Sequence, residues 1–171
     1  MMAENIEFLT YPKTNTGRLP LPLFFLQPLL GRIVRHIAEK RPELFKRIGQ
    51  HKNKKFLIDP VNMPFAMMLY PHPDRPRLKA VRRSSQSVYD ARIAGSFLTL
   101  LDMVDGHLDG DALFFSRDLT IEGDTEATVC LRNALDDLDG SIADDIAVLF
   151  GLPGQVSLRA LRYFRNHKHD H

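Results

Sequence analysis

The spacing of apolar and polar positions changes several times along the 171-residue chain, and each change predicts a different element. Residues 19–30 (LPLPLFFLQPLL) are almost all apolar. Twelve residues are too few to span a bilayer, and Pro20, Pro22 and Pro28 prevent one uninterrupted helix. After Pro28 the spacing becomes helical, with Leu29, Leu30, Ile33, Val34 and Ile37 on one side and Arg32, Arg35 and Lys40 elsewhere. A short helix is expected after Pro42, with Leu44, Phe45 and Ile48 inward. From Lys55 to Ala94 the period shortens to that of strands. Phe56-Leu57-Ile58 ends at Asp59-Pro60, and a second run, residues 65–70, ends in the turn PHPDRP. Leu78 and Ala80 alternate with Lys79 and Val81, then Tyr89, Ala91 and Ile93 with Asp90, Arg92 and Ala94. Sequential strands with short links predict a largely antiparallel sheet.

Helical spacing returns after Gly95, where Ser96 is placed to cap Phe97, Leu100, Leu101 and Val104. Residues 109–126 (DGDALFFSRDLTIEGDTE) then carry three instructions: an apolar turn at Leu113-Phe114-Phe115, a half-buried strand from Leu119 to Glu122, and a stop with a helix cap at Gly123-Asp124-Thr125. The helix that follows runs to about Leu138, with Ala127, Cys130, Leu131, Ala134, Leu135 and Leu138 on one face and Cys130 expected in the core. Asp136, Asp137 and Asp139 sit at its C-terminal end, where they oppose the helix dipole and call for a basic partner. A helix over residues 142–150, a break at Gly151-Leu152-Pro153-Gly154 and a last short helix carrying Val156, Leu158, Leu161 and Phe164 complete the reading.

Composition and charge narrow the function classes. One cysteine excludes an internal disulfide, and the acids near the N-terminus do not suit a secretory signal. A cytoplasmic protein, peripheral at the inner membrane, is the expectation. Net charge is only +2, but residues 31–55 carry nine Lys/Arg against two Glu, and residues 99–145 two Arg against thirteen Asp/Glu. Residues 146–171 return to a surplus of three positive charges. Such runs are either solvated faces or contacts for an anionic membrane surface. Nucleic acid is the weaker partner, because the basic runs hold no binding motif and the acidic centre repels phosphate.

Reactive constellations are absent from the sequence. Asp109, Asp111, Asp118, Glu122, Asp124 and Glu126 fit no calcium loop, and turn and cap roles account for Asp109 and Asp124. His72 and His107 read as loop residues, and Ser84, Ser85 and Ser87 lack a nucleophile context. No catalytic residue, metal or cofactor is expected. The apolar surplus is more informative: Met63, Phe65, Met67, Met68 and Leu69 crowd one strand region, and Phe97, Leu101, Phe114 and Phe115 flank the next. These side chains either fill a core or line a cavity for an aliphatic guest.

The stretch DALFFSRDLTIEGDTEATVCLRNALDDLD resembles the C-terminal half of a sterol carrier protein type 2 domain, in the form found in accessory lipid carriers of bacterial ubiquinone biosynthesis. The resemblance implies an α+β fold with a curved, five-stranded, mostly antiparallel sheet, covered by helices and enclosing an apolar tunnel. It implies a domain over residues 41–140, between a Pro/Leu-rich, basic helical extension (1–40) and a C-terminal helical extension (141–171). It implies non-catalytic carriage of an apolar lipid or polyprenyl-quinone precursor, alongside ubiquinone-biosynthesis proteins, in oxygen-independent synthesis. Met63, Phe65, Met67, Leu69, Phe97, Leu101, Phe114, Phe115, Leu119 and Ile121 would line the tunnel. Phe24, Phe25, Leu29, Arg32 and Arg35 would form a membrane or partner edge. The alternative is a scaffold with a filled core that organises biosynthetic enzymes through its charged faces.

Overall fold

The computed structural model describes residues 22–83, 88–105, 119–138 and 140–166. Five strands form one sheet: β1 (Phe56–Pro60), β2 (Ala66–Tyr70), β3 (Arg77–Val81), β4 (Ala91–Gly95) and β5 (Leu119–Gly123), in the order β3-β2-β1-β4-β5. Three neighbouring pairs are antiparallel: β1–β2 and β2–β3, as their short links predict, and β4–β5 across a long link. The central pair is not: β4 lies parallel to β1, with Phe56 opposite Ala91 and Pro60 opposite Gly95. The chain leaves β3 at one edge and returns to the free side of β1, so β3 and β4, although consecutive, are not neighbours. The fourth strand also starts later than its alternation suggests, because Tyr89 and Asp90 form a corner. The Asp90 carboxylate accepts the Lys55 N–H at 2.7 Å, and its carbonyl accepts the Asp124 N–H at 2.8 Å.

A 3-10 turn (Leu23–Phe25) leads into α1 (Leu26–Lys40) and α2 (Pro42–Arg47). Pro28 is accommodated in the first turn of α1, where an amide hydrogen has no helical partner. Then come a 3-10 turn (Gly49–Asn53) and α3 (Phe97–Asp105), α4 (Thr125–Asp136), α5 (Ile142–Leu149) and α6 (Gly151–Asn166). Helices cover one face of the sheet. Phe56, Ala91 and Ile93 on that face are sealed beneath Val34, Leu44, Phe45, Ile48, Leu100, Met103, Ala127, Leu131, Ala134 and Ile142. Burial of each large side chain there contributes about 1.5–3 kcal/mol. The opposite face holds a smaller apolar cluster of Leu57, Ala66 and Met68, packed by Tyr70, Val81 and Tyr89.

Capping follows the sequence closely in two places and departs from it in another. Asp124 accepts the Ala127 N–H at 2.9 Å, and Ser96 Oγ accepts the Thr99 N–H at 3.1 Å. Gly123 adopts φ +83°, and a Cβ there would lie 2.3 Å from the Asp90 carbonyl oxygen, so the turn between β5 and α4 requires glycine. Gly151-Leu152-Pro153-Gly154 does not break the chain into a short final helix. It forms the first turn of the 16-residue α6, where proline loses no helical hydrogen bond.

Charged contacts fix the C-terminal hairpin. Lys40 and Arg41, at the junction of α1 and α2, both donate to the Asp145 carboxylate at 2.5 Å. Arg162 on α6 donates to Asp105 at 3.0 Å and to Asp144 at 2.8 Å.

Candidate functional site

Sheet register decides which of the expected lining residues share a surface. Met67 pairs with Ile58, Leu69 with Phe56, Ile93 with Ile121 and Gly95 with Leu119. Met67, Leu69, Leu119 and Ile121 therefore all point to the helix-covered face. Together with Ile58 they are half-buried, whereas Phe56 and Ile93 beside them are sealed. Met68 alternates to the other face and is buried against Leu57 and Ala66. Met63 lies in the turn after β1, its N–H donating to the Pro60 carbonyl at 2.8 Å, and half-buried Phe65 directly precedes β2. Phe97 opens α3 with its N–H on the Asn62 side chain at 2.8 Å, which ties that turn to the helix. Leu101 packs elsewhere, against Ala143, Ala147 and Leu158 of the C-terminal hairpin. Phe114 and Phe115 lie outside the described residues, as do Asp109, Asp111, Asp118, His107 and the serine run.

The described residues line two grooves of note on the surface. One, of about 520 Å³, runs between α1 and the β2–β3 turn with β3, lined by Gln27, Gly31, Val34, Arg35, Ala38 and Glu39 on one side and residues 73–79 on the other. The second, of about 580 Å³, lies between α2 with its following turn and α4, and includes His51, Glu126 and Cys130. Neither is lined by any of the eight expected tunnel residues that lie among the described ones. Sequence reasoning missed the first groove. Its signal was Gly31, set inside an otherwise strong helical run at a cost of about 1 kcal/mol relative to alanine.

The polar groups are engaged in structure. Cys130 is only half-buried, not a core residue as its helical face suggested. Its Sγ lies 3.6 Å from the Arg47 and Ile48 carbonyl oxygens, and burial, with Glu126 nearby, pushes its thiol up, away from a reactive thiolate. Glu122 accepts from Arg92 at 2.6 Å and from Tyr89 at 3.2 Å. Asp124 adds a salt bridge to Lys54 at 3.0 Å, and Glu126 accepts from Gln50 at 3.0 Å. Asp137 pairs with Arg47 and Asp136 with Arg132, which supplies the basic partners that the end of α4 called for. Among the described residues no group of three His, Cys, Asp or Glu side chains could hold a metal ion, and no helix is long and apolar enough to cross a membrane.

The family model of the SCP-2 sterol transfer family matches residues 34–136. The chain belongs to the SCP-2 sterol transfer family. The SCP-2 match starts within α1 and ends with α4, so it takes in the whole sheet and leaves α5 and α6 outside. Among solved structures, a UbiJ-SCP2 ubiquinone synthesis protein superimposes with a TM-score of 0.48 at 14% identity, covering 70% of this chain and 94% of its own. Sterol carrier protein 2 from Yarrowia lipolytica does so with 0.45 at 15% identity, covering 68% and 94%. Sterol carrier protein domain 2 of Helicoverpa armigera gives 0.45 at 14%, covering 72% and 99%. Comparison with curated protein sequences returned no match. The five-stranded sheet with helices on one face is the SCP-2 fold.

Proposed function

We propose that this protein is a non-catalytic lipid carrier that handles polyprenyl-quinone precursors for ubiquinone biosynthesis. The observation that carries the reading is the half-buried apolar row on the helix-covered face of the sheet. Met67, Leu69, Leu119 and Ile121 project there from β2 and β5, on either side of the sealed Phe56 and Ile93. Apolar surface that the fold leaves partly unburied gains by covering it with an aliphatic chain, at about 25 cal/mol per Å². Membership of a sterol transfer family supports lipid as the guest. The resemblance of residues 109–137 to the UbiT-type accessory carriers supports the pathway. Met63, Phe65, Phe97, Leu101, Phe114 and Phe115 extend the lining in this reading.

Delivery needs contact with a membrane. Phe24 and Phe25 are about two-thirds exposed and Leu29 is exposed beside them, with Arg32 and Arg35 on the same helix. This pairing of aromatic and basic side chains suits an anionic bilayer surface. Mass spectrometry of lipid extracted from the purified protein tests the carriage. A polyprenylated species is expected from the wild type and is depleted in an Ile121→Gln, Met67→Gln double variant that still folds. Purified protein that yields no apolar lipid, and takes none up from detergent, ends the carrier reading.

A further inference from the structure

We infer that the outward face of α6 is a docking surface for an acidic amphipathic helix of another protein. Leu152, Val156, Ala160 and Tyr163 recur at helical spacing and form one row along α6. Leu152 is 77% exposed, Val156 63% and Tyr163 60%, and Ala160 between them is exposed as well. Val148, at the end of α5, is 56% exposed. The fold does not use this row. Leu158, on the opposite side of α6, is buried against Ala143 and Ala147, and Arg162 is tied to Asp105 and Asp144. Those contacts fix the roll of the helix, so the row points outward as a preformed surface. Single apolar side chains on a surface are ordinary, whereas a row along one helix marks an interaction site. Helix α6 also lies beyond residue 136, where the match to the family model ends. The row is thus outside the shared SCP-2 domain, and the inference is independent of the carrier reading.

Charge selects the occupant. Residues 151–166 hold three arginines and no acid. Arg162 is engaged, but Arg159, which borders the row, is exposed and makes no salt bridge among the described residues. The acids of α5, Asp144 and Asp145, are already paired with Arg162, Lys40 and Arg41. A carboxylate for Arg159 therefore comes from a partner. A second copy of α6 cannot supply it, because two such helices side by side set arginine against arginine. The middle of the row sets the shape. Ala160 presents only a methyl group, with Ser157 and Arg159 exposed beside it, so a partner backbone can approach closely there. From Leu152 to Tyr163 the row spans about 16 Å, roughly three turns of helix. A helix with apolar residues at matching spacing and acids along its flanks fits that ridge. A bilayer favours a broader apolar face with large side chains throughout.

Two synthetic peptides of about 18 residues, long enough to be helical, test this on the full chain. Both carry leucines at helical spacing; one is flanked by glutamates and the other by lysines. The glutamate peptide is expected to bind about tenfold or more tightly than the lysine peptide, with a preference that shrinks as salt is raised. Leu152→Gln with Val156→Gln is expected to weaken the glutamate peptide about tenfold or more. The same double variant is expected to melt within about 2 °C of the wild type, because both side chains are exposed. Arg159→Glu is expected to reverse the preference between the peptides. No binding, equal binding of the two peptides, or glutamate-peptide binding unchanged by the double variant overturns the inference. So does self-association of the wild type in sedimentation velocity that the double variant abolishes, which makes the occupant a second copy. Binding to phosphatidylglycerol vesicles that the double variant loses, without glutamate-peptide binding, overturns it in favour of a membrane.

Discussion

Asp59 is fully buried, yet it is ionically engaged on both sides. Arg83 Nε donates to one carboxylate oxygen at 2.9 Å, and Arg92 donates to the other at 2.6 and 3.1 Å. Arg92 extends the network to Glu122 and through it to Tyr89, and Arg83 also reaches the Pro60 and Val61 carbonyls. One carboxylate thus joins the end of β1 to the segment after β3 and to β4, with β5 attached through Glu122. Removing it takes the shared carboxylate from both arginines and leaves the buried Arg92 with Glu122. Asp59→Ala is expected to lower stability by about 3–5 kcal/mol in urea denaturation, with Asp59→Asn falling between. Alternation along the strand places Arg92 on one face without naming its partner. Which charges would meet across 24 and 33 residues of chain depends on strand order, and local spacing holds no information about that.

Helix α6 shows the same limit at the scale of an element. Its amphipathic spacing was readable, but its start was misplaced, because Gly-Leu-Pro-Gly is a breaker in mid-helix and an acceptable first turn. The second glycine has a packing role as well. A Cβ on Gly154 would lie 2.4 Å from the Ala147 carbonyl oxygen and 2.8 Å from Phe150 Cβ, so the close approach of α6 to the end of α5 depends on its absence. Gly154→Ala is expected to push α6 outward at a cost of about 1–3 kcal/mol. Amides of residues 155–163 should then exchange faster with solvent while those of β1 and β4 keep their protection. Equal exchange in both proteins would show that the contact is not needed. The other helices were legible for simpler reasons: Leu44, Phe45 and Ile48 are inward as spaced, and Ser96 and Asp124 cap as placed.

Across the whole molecule, the uneven charge of the sequence becomes a set of internal ties. Of the acids in residues 99–145, Asp105, Glu122, Asp124, Asp136, Asp137, Asp144 and Asp145 all pair with lysine or arginine. The acidic centre therefore holds the fold together more than it offers a scaffold face. The ties set the response to acid. Asp124 is held below the usual carboxylate range, first by the Ala127 N–H and then by Lys54. Burial opposes ionisation of Asp145, but the hydrogen bonds and charges of Lys40 and Arg41 together outweigh it and keep its pKa low. A lowered folded-state pKa adds stability above the unfolded value, near 4, that is lost as pH falls through the folded one. The melting temperature should thus decline below about pH 4, and Asp145→Asn should make that decline shallower; parallel curves would exclude the role. The parallel pairing at the centre of the sheet also sets an order of assembly. Strands β1 to β3 can close through short hairpin links, but Phe56 finds Ala91 only 35 positions later. Until β4 arrives, one side of β1 is an open strand edge, and the Asp59 carboxylate on it has Arg83 but not Arg92. A buried carboxylate short of one arginine discourages a neighbouring chain from adding a strand there, and the correct partner carries in Arg92 to complete the pairing.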